Sequence, residues 1–318
     1  MRRPALLTLA LTAALGVATA VPAQAADERI FGQDRYGTAA AVSAQFEGSP
    51  YAAVYLATGE NFPDALAAGA AAAGDQSRVL LTGRYEVPQA TLDELERLGA
   101  SSIYLIGGTA SVSTAVETEL ERLGYFVLRV DGDDRYDTSV TAARVLFDQP
   151  DTIFLATGEN YPDALSGAAA AGSQGAPIVL VGRTSLPEPV RYALADETFR
   201  PLNPSRIIVL GGQSAISDAV LDQIRALGHQ DATFERLEGA DRYGTAVAVG
   251  QRFFPDSAAA VLAVGDNYPD ALAAGPFAAN TAAPLLLTGA GSTPQATQAE
   301  LDRRGTTDRF YVGAARPS

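Results

Sequence analysis

Val54-Tyr55-Leu56-Ala57-Thr58-Gly59-Glu60-Asn61-Phe62-Pro63-Asp64-Ala65-Leu66 decides the fold of this chain. The unbroken apolar run at its start reads as a buried strand, and residues 58–61 read as a turn. Pro63 suits the first position of a helix because its missing N–H would be unpaired there anyway, and Asp64 faces the positive end of the helix dipole. Alanine and glycine fill the sequence to Gly74, which predicts a thin helix able to lie close to a sheet. Strand, tight turn and helix together form the building unit of a parallel α/β sheet.

That unit recurs. Asn-(Phe/Tyr)-Pro-Asp-Ala-Leu stands at 61–66, 160–165 and 267–272, and Asp-Arg-Tyr-x-Thr at 34–38, 134–138 and 241–245. The period, about a hundred residues, exceeds that of solenoids and matches the size of one domain. In the first unit, residues 79–81 read as a strand, followed by a helix from near Pro88 with Leu92, Leu95 and Leu98 on one face and Gly99 at its end. Residues 103–106 form the next strand; Gly107-Gly108 turns the chain into a helix carrying Val116, Leu120 and Leu123, closed by Gly124; residues 126–130 form a last strand. The second unit repeats this after Gly211-Gly212, with Val220, Ile224, Leu227 and Gly228. Each unit is expected to be a Rossmann-like α/β sandwich, its parallel sheet covered on both faces. Ligands in such sheets sit beyond the carboxyl ends of the strands, where the repeated phrases fall.

Residues 1–25 combine Arg2 and Arg3, an apolar run and an Ala-Gln-Ala end, the order of a secretory signal, so Ala26 is the expected mature N-terminus. The run is shorter than the roughly 20 apolar residues a spanning helix prefers, and every later apolar run is interrupted, so no membrane span is expected after cleavage. The remaining boundaries fall at 26–130, 131–235 and 236–318. The last unit is short: residues 310–314 stand where the others have their Gly-Gly turn, and no further helix and strand follow. Arg304 replaces the equivalent of Leu98, so a polar, frayed end and an incompletely closed third module are expected.

Twenty-three basic against 37 acidic residues give a net charge of −14, and loss of Arg2 and Arg3 takes it to −16. Such a field disfavours nucleic acid and anionic lipid. Every cation is arginine, so an anionic partner needs a local site of guanidinium and backbone N–H groups. High alanine and the lack of lysine agree with a GC-rich bacterial source. No cysteine is present, so no disulfide or thiolate–metal site contributes. One histidine, His229, cannot furnish a zinc centre and reads as a solvated loop residue. Without lysine there is neither a Walker loop nor a Schiff base, and no G-x-S-x-G elbow occurs. The Gly-Gly turns lack full dinucleotide spacing and read as tight βα turns, so no cofactor and no metal are expected. Asp64, Asp163 and Asp270, with Glu60, Glu159 and Asp266 four residues earlier, are the carboxylates left for a glycosidase-like pair, but a structural role at the helix start accounts for the aspartates and nothing marks a shifted pKa.

R-x-x-G-x-D-R-Y-x-T, the strand and N-(F/Y)-P-D-A-L turn, the strands at 79–81, 178–180 and 285–287, and G-G-x-x-(A/S)-(I/V)-S together resemble the cell wall binding repeat 2 family of Gram-positive bacteria. The resemblance covers essentially the whole chain after residue 25. It implies Rossmann- or Toprim-like modules packed as a pseudo-threefold triangle that hold a protein noncovalently on the wall, and members usually carry a variable effector domain that is missing here. The expected function is therefore a secreted, noncatalytic cell-surface protein gripping an anionic, teichoic-acid-like polymer or peptidoglycan. A wall hydrolase using the repeated carboxylates and an adhesive structural protein are the alternatives. Candidate ligand-binding residues are Arg29, Arg35, Asn61 and Asp64 in the first unit, Arg129, Arg135, Asn160 and Asp163 in the second, and Arg236, Arg242, Asn267 and Asp270 in the third. The Asp and Asn side chains suit sugar hydroxyls, and the arginines and helix N-termini suit acidic groups. The arginines in the Asp-Arg-Tyr phrase also suit docking of one module on the next.

Overall fold

The computed structural model describes residues 26–46, 53–61, 63–195 and 200–317; the signal sequence expected at 1–25 lies outside them. Strand β1 (Ala26–Ile30) and helix α1 (Arg35–Ser43) come first. The first sheet follows from β2 (Ala53–Thr58), β3 (Val79–Thr82), β4 (Ser102–Ile106) and β5 (Phe126–Val130), with helices α2 (Pro63–Gly74), α3 (Gln89–Leu98) and α4 (Thr114–Arg122) between them. Its order is β3-β2-β4-β5, all parallel. The second module repeats this with α5 (Arg135–Val145), β6 (Thr152–Thr157), α6 (Pro162–Ser173), β7 (Ile178–Val181), α7 (Glu188–Ala195), β8 (Arg206–Leu210), α8 (Asp218–Ile224) and β9 (Thr233–Leu237), in the order β7-β6-β8-β9. The third has α9 (Arg242–Phe253), β10 (Ala259–Val264), α10 (Tyr268–Asn280), β11 (Leu285–Thr288), α11 (Gln295–Arg304) and β12 (Asp308–Val312).

Three strands leave the third sheet short of the fourth that β5 and β9 supply elsewhere. The N-terminus fills the place: β1 pairs in parallel with β12, Ile30 opposite Val312, giving the order β1-β12-β10-β11. The third module therefore closes, contrary to the expectation of an open end, and the chain's first strand belongs to its last sheet. Nor is that end frayed. The Arg304 side chain is fully buried, 2.5 Å from Glu300 and hydrogen-bonded to the Phe254 carbonyl, so the cation that replaces the Leu98 equivalent is neutralised inside the module.

The alanine- and glycine-rich helices α2, α6 and α10 pack on one another in all three pairings at the pseudo-threefold centre. Their thinness is required: a Cβ on Gly172 would lie 2.0 Å from the Ala73 Cβ. One apolar core runs through this centre and takes side chains from all three modules, while three satellite clusters fill the outer faces of the sheets. The sequence reading missed α1, α5 and α9. Each starts at the Asp-Arg-Tyr phrase, lies against its own module's β3, β7 or β11, and touches the central helix of the preceding module, α10, α2 or α6. Asp34 and Asp134 are their N-caps, accepting from Tyr36 and Gly37, and from Tyr136 and Asp137, at 2.8–3.0 Å; Asp241 accepts from Gly244.

Two smaller expectations are corrected. His229 is buried, with Nε2 3.0 Å from the Leu194 carbonyl oxygen, because Gly228 at φ 109° folds the π-helical turn Arg225–His229 back under α7. Leu123, expected on the inner face, is exposed, because α4 ends at Arg122 and Leu123 is its C-cap.

Candidate functional site

The sheet order reverses between β2 and β4, and the crevice at such a switch point is where parallel sheets bind ligands. Here Asp64, on the first turn of α2, meets Gly107, the first residue after β4. Gly107 has φ 115°, and a Cβ on it would lie 2.6 Å from the Asp64 carboxylate. Gly211 stands in the same relation to Asp163 at 2.4 Å, and Gly313 to Asp270 at 2.0 Å. The Pro-Asp-Ala-Leu phrase and the glycine turn, far apart in sequence, are thus two halves of one arrangement.

The third part comes from the next module. Asp64 is hydrogen-bonded by Ser111 and by Thr138, and Arg135 lies near it; Asp163 has Thr245 and Arg242; Asp270 has Thr38, Arg35 and the Ala314 N–H at 3.2 Å. Each aspartate therefore faces the Asp-Arg-Tyr-x-Thr phrase of its successor, and the last one faces the first. Burial pushes all three carboxyl groups above the usual aspartate range, and the hydroxyls, N–H and guanidinium only partly oppose it. This shift was not legible in the sequence, since the burial arises where two modules meet. The threonines of the phrase, Thr38, Thr138 and Thr245, are buried members of the junction that sequence reasoning passed over. Their fixed place four residues after an N-capping aspartate was the available signal.

The arginines divide into two sets. Arg35, Arg135 and Arg242 donate to the carbonyls of Gly59, Gly158 and Gly265 while facing the aspartate of the preceding module, which is the geometry of docking. Arg129 is half-buried against Glu117 at 2.8 Å and the Gly107 carbonyl; Arg236 is held by Asp218 at 2.9 Å and the Gly211 carbonyl. Arg29, their equivalent on β1, is exposed and lies over the Phe31 ring. Asn61, Asn160 and Asn267 are exposed at the starts of the three phrases, and Asn61 and Asn267 line the junctions between modules one and two and between three and one. Beside them Tyr161 and Tyr268 meet edge to face at 5.4 Å, with the Tyr161 hydroxyl donating to the Asp266 carbonyl.

Two junctions open into cavities, of about 240 Å³ between modules one and two and about 470 Å³ between modules three and one. The carboxylates four residues before the three aspartates are engaged elsewhere. Glu60 and Glu159 accept from the Arg84 and Arg183 N–H groups at 3.0 Å, holding the next loop, and Asp266 pairs with Arg242 at 2.9 Å. Among the described residues no three His, Cys, Asp or Glu side chains converge to hold a metal ion, and no helix is long and apolar enough to cross a membrane.

The model of cell wall binding domain 2 matches residues 29–117, 129–221 and 236–313, one segment for each turn of the ring. The chain belongs to the cell wall binding domain 2 (CWB2) family. Its three CWB2 segments have relatives of several kinds. Over 187 residues, 59% of this chain and 36% of the relative, it is 30% identical to the N-acetylmuramoyl-L-alanine amidase LytC of Bacillus subtilis. It is 27% identical over 188 residues to the amidase enhancer of the same organism, covering 24% of that protein. Among solved structures, Cwp6 from Clostridium difficile superimposes with a TM-score of 0.81 at 26% identity, over 95% of this chain and 48% of Cwp6. Cwp8 from the same organism gives 0.79 at 27%, over 90% and 49%. The chain thus spans about half of these structures and about a third or less of the curated relatives. CWB2 membership and these neighbours indicate a protein of the cell wall or cell surface.

Proposed function

We propose that this CWB2 chain is a secreted, noncatalytic binding protein that attaches noncovalently, through several junctions at once, to an anionic secondary polymer of the wall or to peptidoglycan. The observation that carries this reading is the threefold recurrence of one polar junction, each with an exposed asparagine three residues before an aspartate whose carboxyl is pushed up by desolvation; Asp64 and Asp270 are buried and Asp163 half-buried. Repetition serves a polymer ligand. A contact of millimolar strength is worth only about −4 kcal/mol, but a second contact on the same strand is nearly intramolecular and adds roughly 10² to 10⁴ in avidity. The match to LytC covers only 36% of that protein, so the amidase's activity is not carried over to this chain.

Hydrolysis is the second reading, favoured by the raised aspartate carboxyls. Against it stand the second carboxylates, already engaged with backbone N–H groups or Arg242. Cosedimentation with purified walls, before and after removal of their secondary polymers, tests the proposal together with a search for released sugars and peptides. Retention lost on stripping, with no product, is expected. Retention indifferent to stripping removes the polymer assignment, and product release that disappears when Asp64, Asp163 and Asp270 are changed to Asn establishes the hydrolase. The leader at residues 1–25 and the module limits at 130 and 235 belong to the same proposal, the former checked by the N-terminal sequence of the exported protein.

A further inference from the structure

The junctions share a design, but two of them differ in charge. Between modules one and two the cavity is lined by Asp64, Asp133 and Asp134 with Arg135 the one cation; between modules three and one it is lined by Arg29, Arg35 and Arg316 with Asp34 and Asp270. Two differences produce the reversal. Arg129 and Arg236 are each neutralised by a carboxylate, Glu117 and Asp218, on the helix after the glycine turn. After Gly313 the chain brings Arg316 to that side instead, and Arg29 stays exposed, its guanidinium 4.5 Å from the Phe31 ring centre and in no ion pair among the described residues. A guanidinium laid on an aromatic face keeps its N–H edge for a bidentate acceptor. On a protein of net charge −14, a cavity in which guanidinium groups outnumber carboxylates is a local exception to the field.

Building on the wall-binding proposal, we propose that the junction between modules three and one is the acid-group subsite of the ring. There Arg29 and Arg316 receive a phosphate or carboxylate of the wall polymer, while the acidic junction between modules one and two accepts neutral, hydroxyl-bearing stretches.

The test compares wild type with R29Q/R316Q on purified walls at about 50 mM and about 500 mM salt, concentrations on either side of physiological screening. Both residues are exposed, and matched thermal melts confirm that the fold is retained. The variant is expected to bind about tenfold more weakly at low salt, with the gap closing at high salt. Treatment with hydrogen fluoride, which removes phosphodiester polymers, or amidation of wall carboxyl groups then distinguishes the two acids: one of them should abolish the gap. Equal binding by the two proteins overturns this inference and leaves the wall-binding proposal standing, as does a gap that survives both treatments. No retention of the wild type overturns the wall-binding proposal, and this inference with it.

Discussion

Asp64, Asp163 and Asp270 were legible as helix-start residues, because proline before and alanine after them mark the first turn. Their burial was not, since Thr138, Thr245 and Thr38 reach them from the next module and no local pattern encodes that meeting. The shift is opposite in sign to that of Glu300. A carboxyl whose pKa is raised on folding binds its proton more tightly in the native state, so its contribution to stability is fully present below the unfolded value and is lost as pH rises through the folded one. Glu300 behaves oppositely: burial pushes it up, but Arg303, Gln251 and Arg304 outweigh this and hold it below its usual range, so its contribution is lost as pH falls. Urea unfolding of wild type and of D64N/D163N/D270N from about pH 4 to pH 7 separates the two effects. The wild type should lose stability relative to the variant as pH rises; a constant difference would mean that the three groups titrate normally.

At the scale of elements, most strands and the central helices lie within a residue or two of where apolar runs and turn residues place them. Helices α1, α5 and α9 were hidden because their apolar positions are few and small, and only the capping aspartates announce them. The role of β1 was hidden for another reason. Arg29 was aligned with Arg129 and Arg236, which lie on the last strands of their modules, β5 and β9; the phase of the repeat thus already makes β1 a last strand in search of a sheet. Ile30 is buried against the main core and sits opposite Val312. Ile30→Ala should cost about 2–5 kcal/mol, the range for truncating a buried isoleucine. Limited proteolysis of that variant should cut first among residues 285–317, because the third sheet depends on β1. First cleavage in module one instead would mean that β1 stabilises its sequence neighbours and not the third sheet.

As a whole, the molecule is a ring closed by its own N-terminal strand, with the last module's aspartate facing the first module's threonine. Fold class, repeat number and threefold packing were accessible from the recurring phrases and the resemblance they carry; the pairing of each phrase with its neighbour's, and the charge difference between junctions, needed the structure. Closure holds three polar junctions in fixed relation; under the proposed function, one polymer strand engages more than one of them without reordering the protein. Calorimetry on purified walls with Asn267→Ala, then Asn160→Ala and Asn61→Ala added in turn, tests that claim most directly, because these side chains are exposed at the starts of the three phrases and leave the junctions' interior intact. Successive losses that exceed the effect of one asparagine, reaching roughly 10² or more for the triple variant, are the predicted result. Undiminished uptake by the triple variant, or no uptake by the wild type, would contradict it.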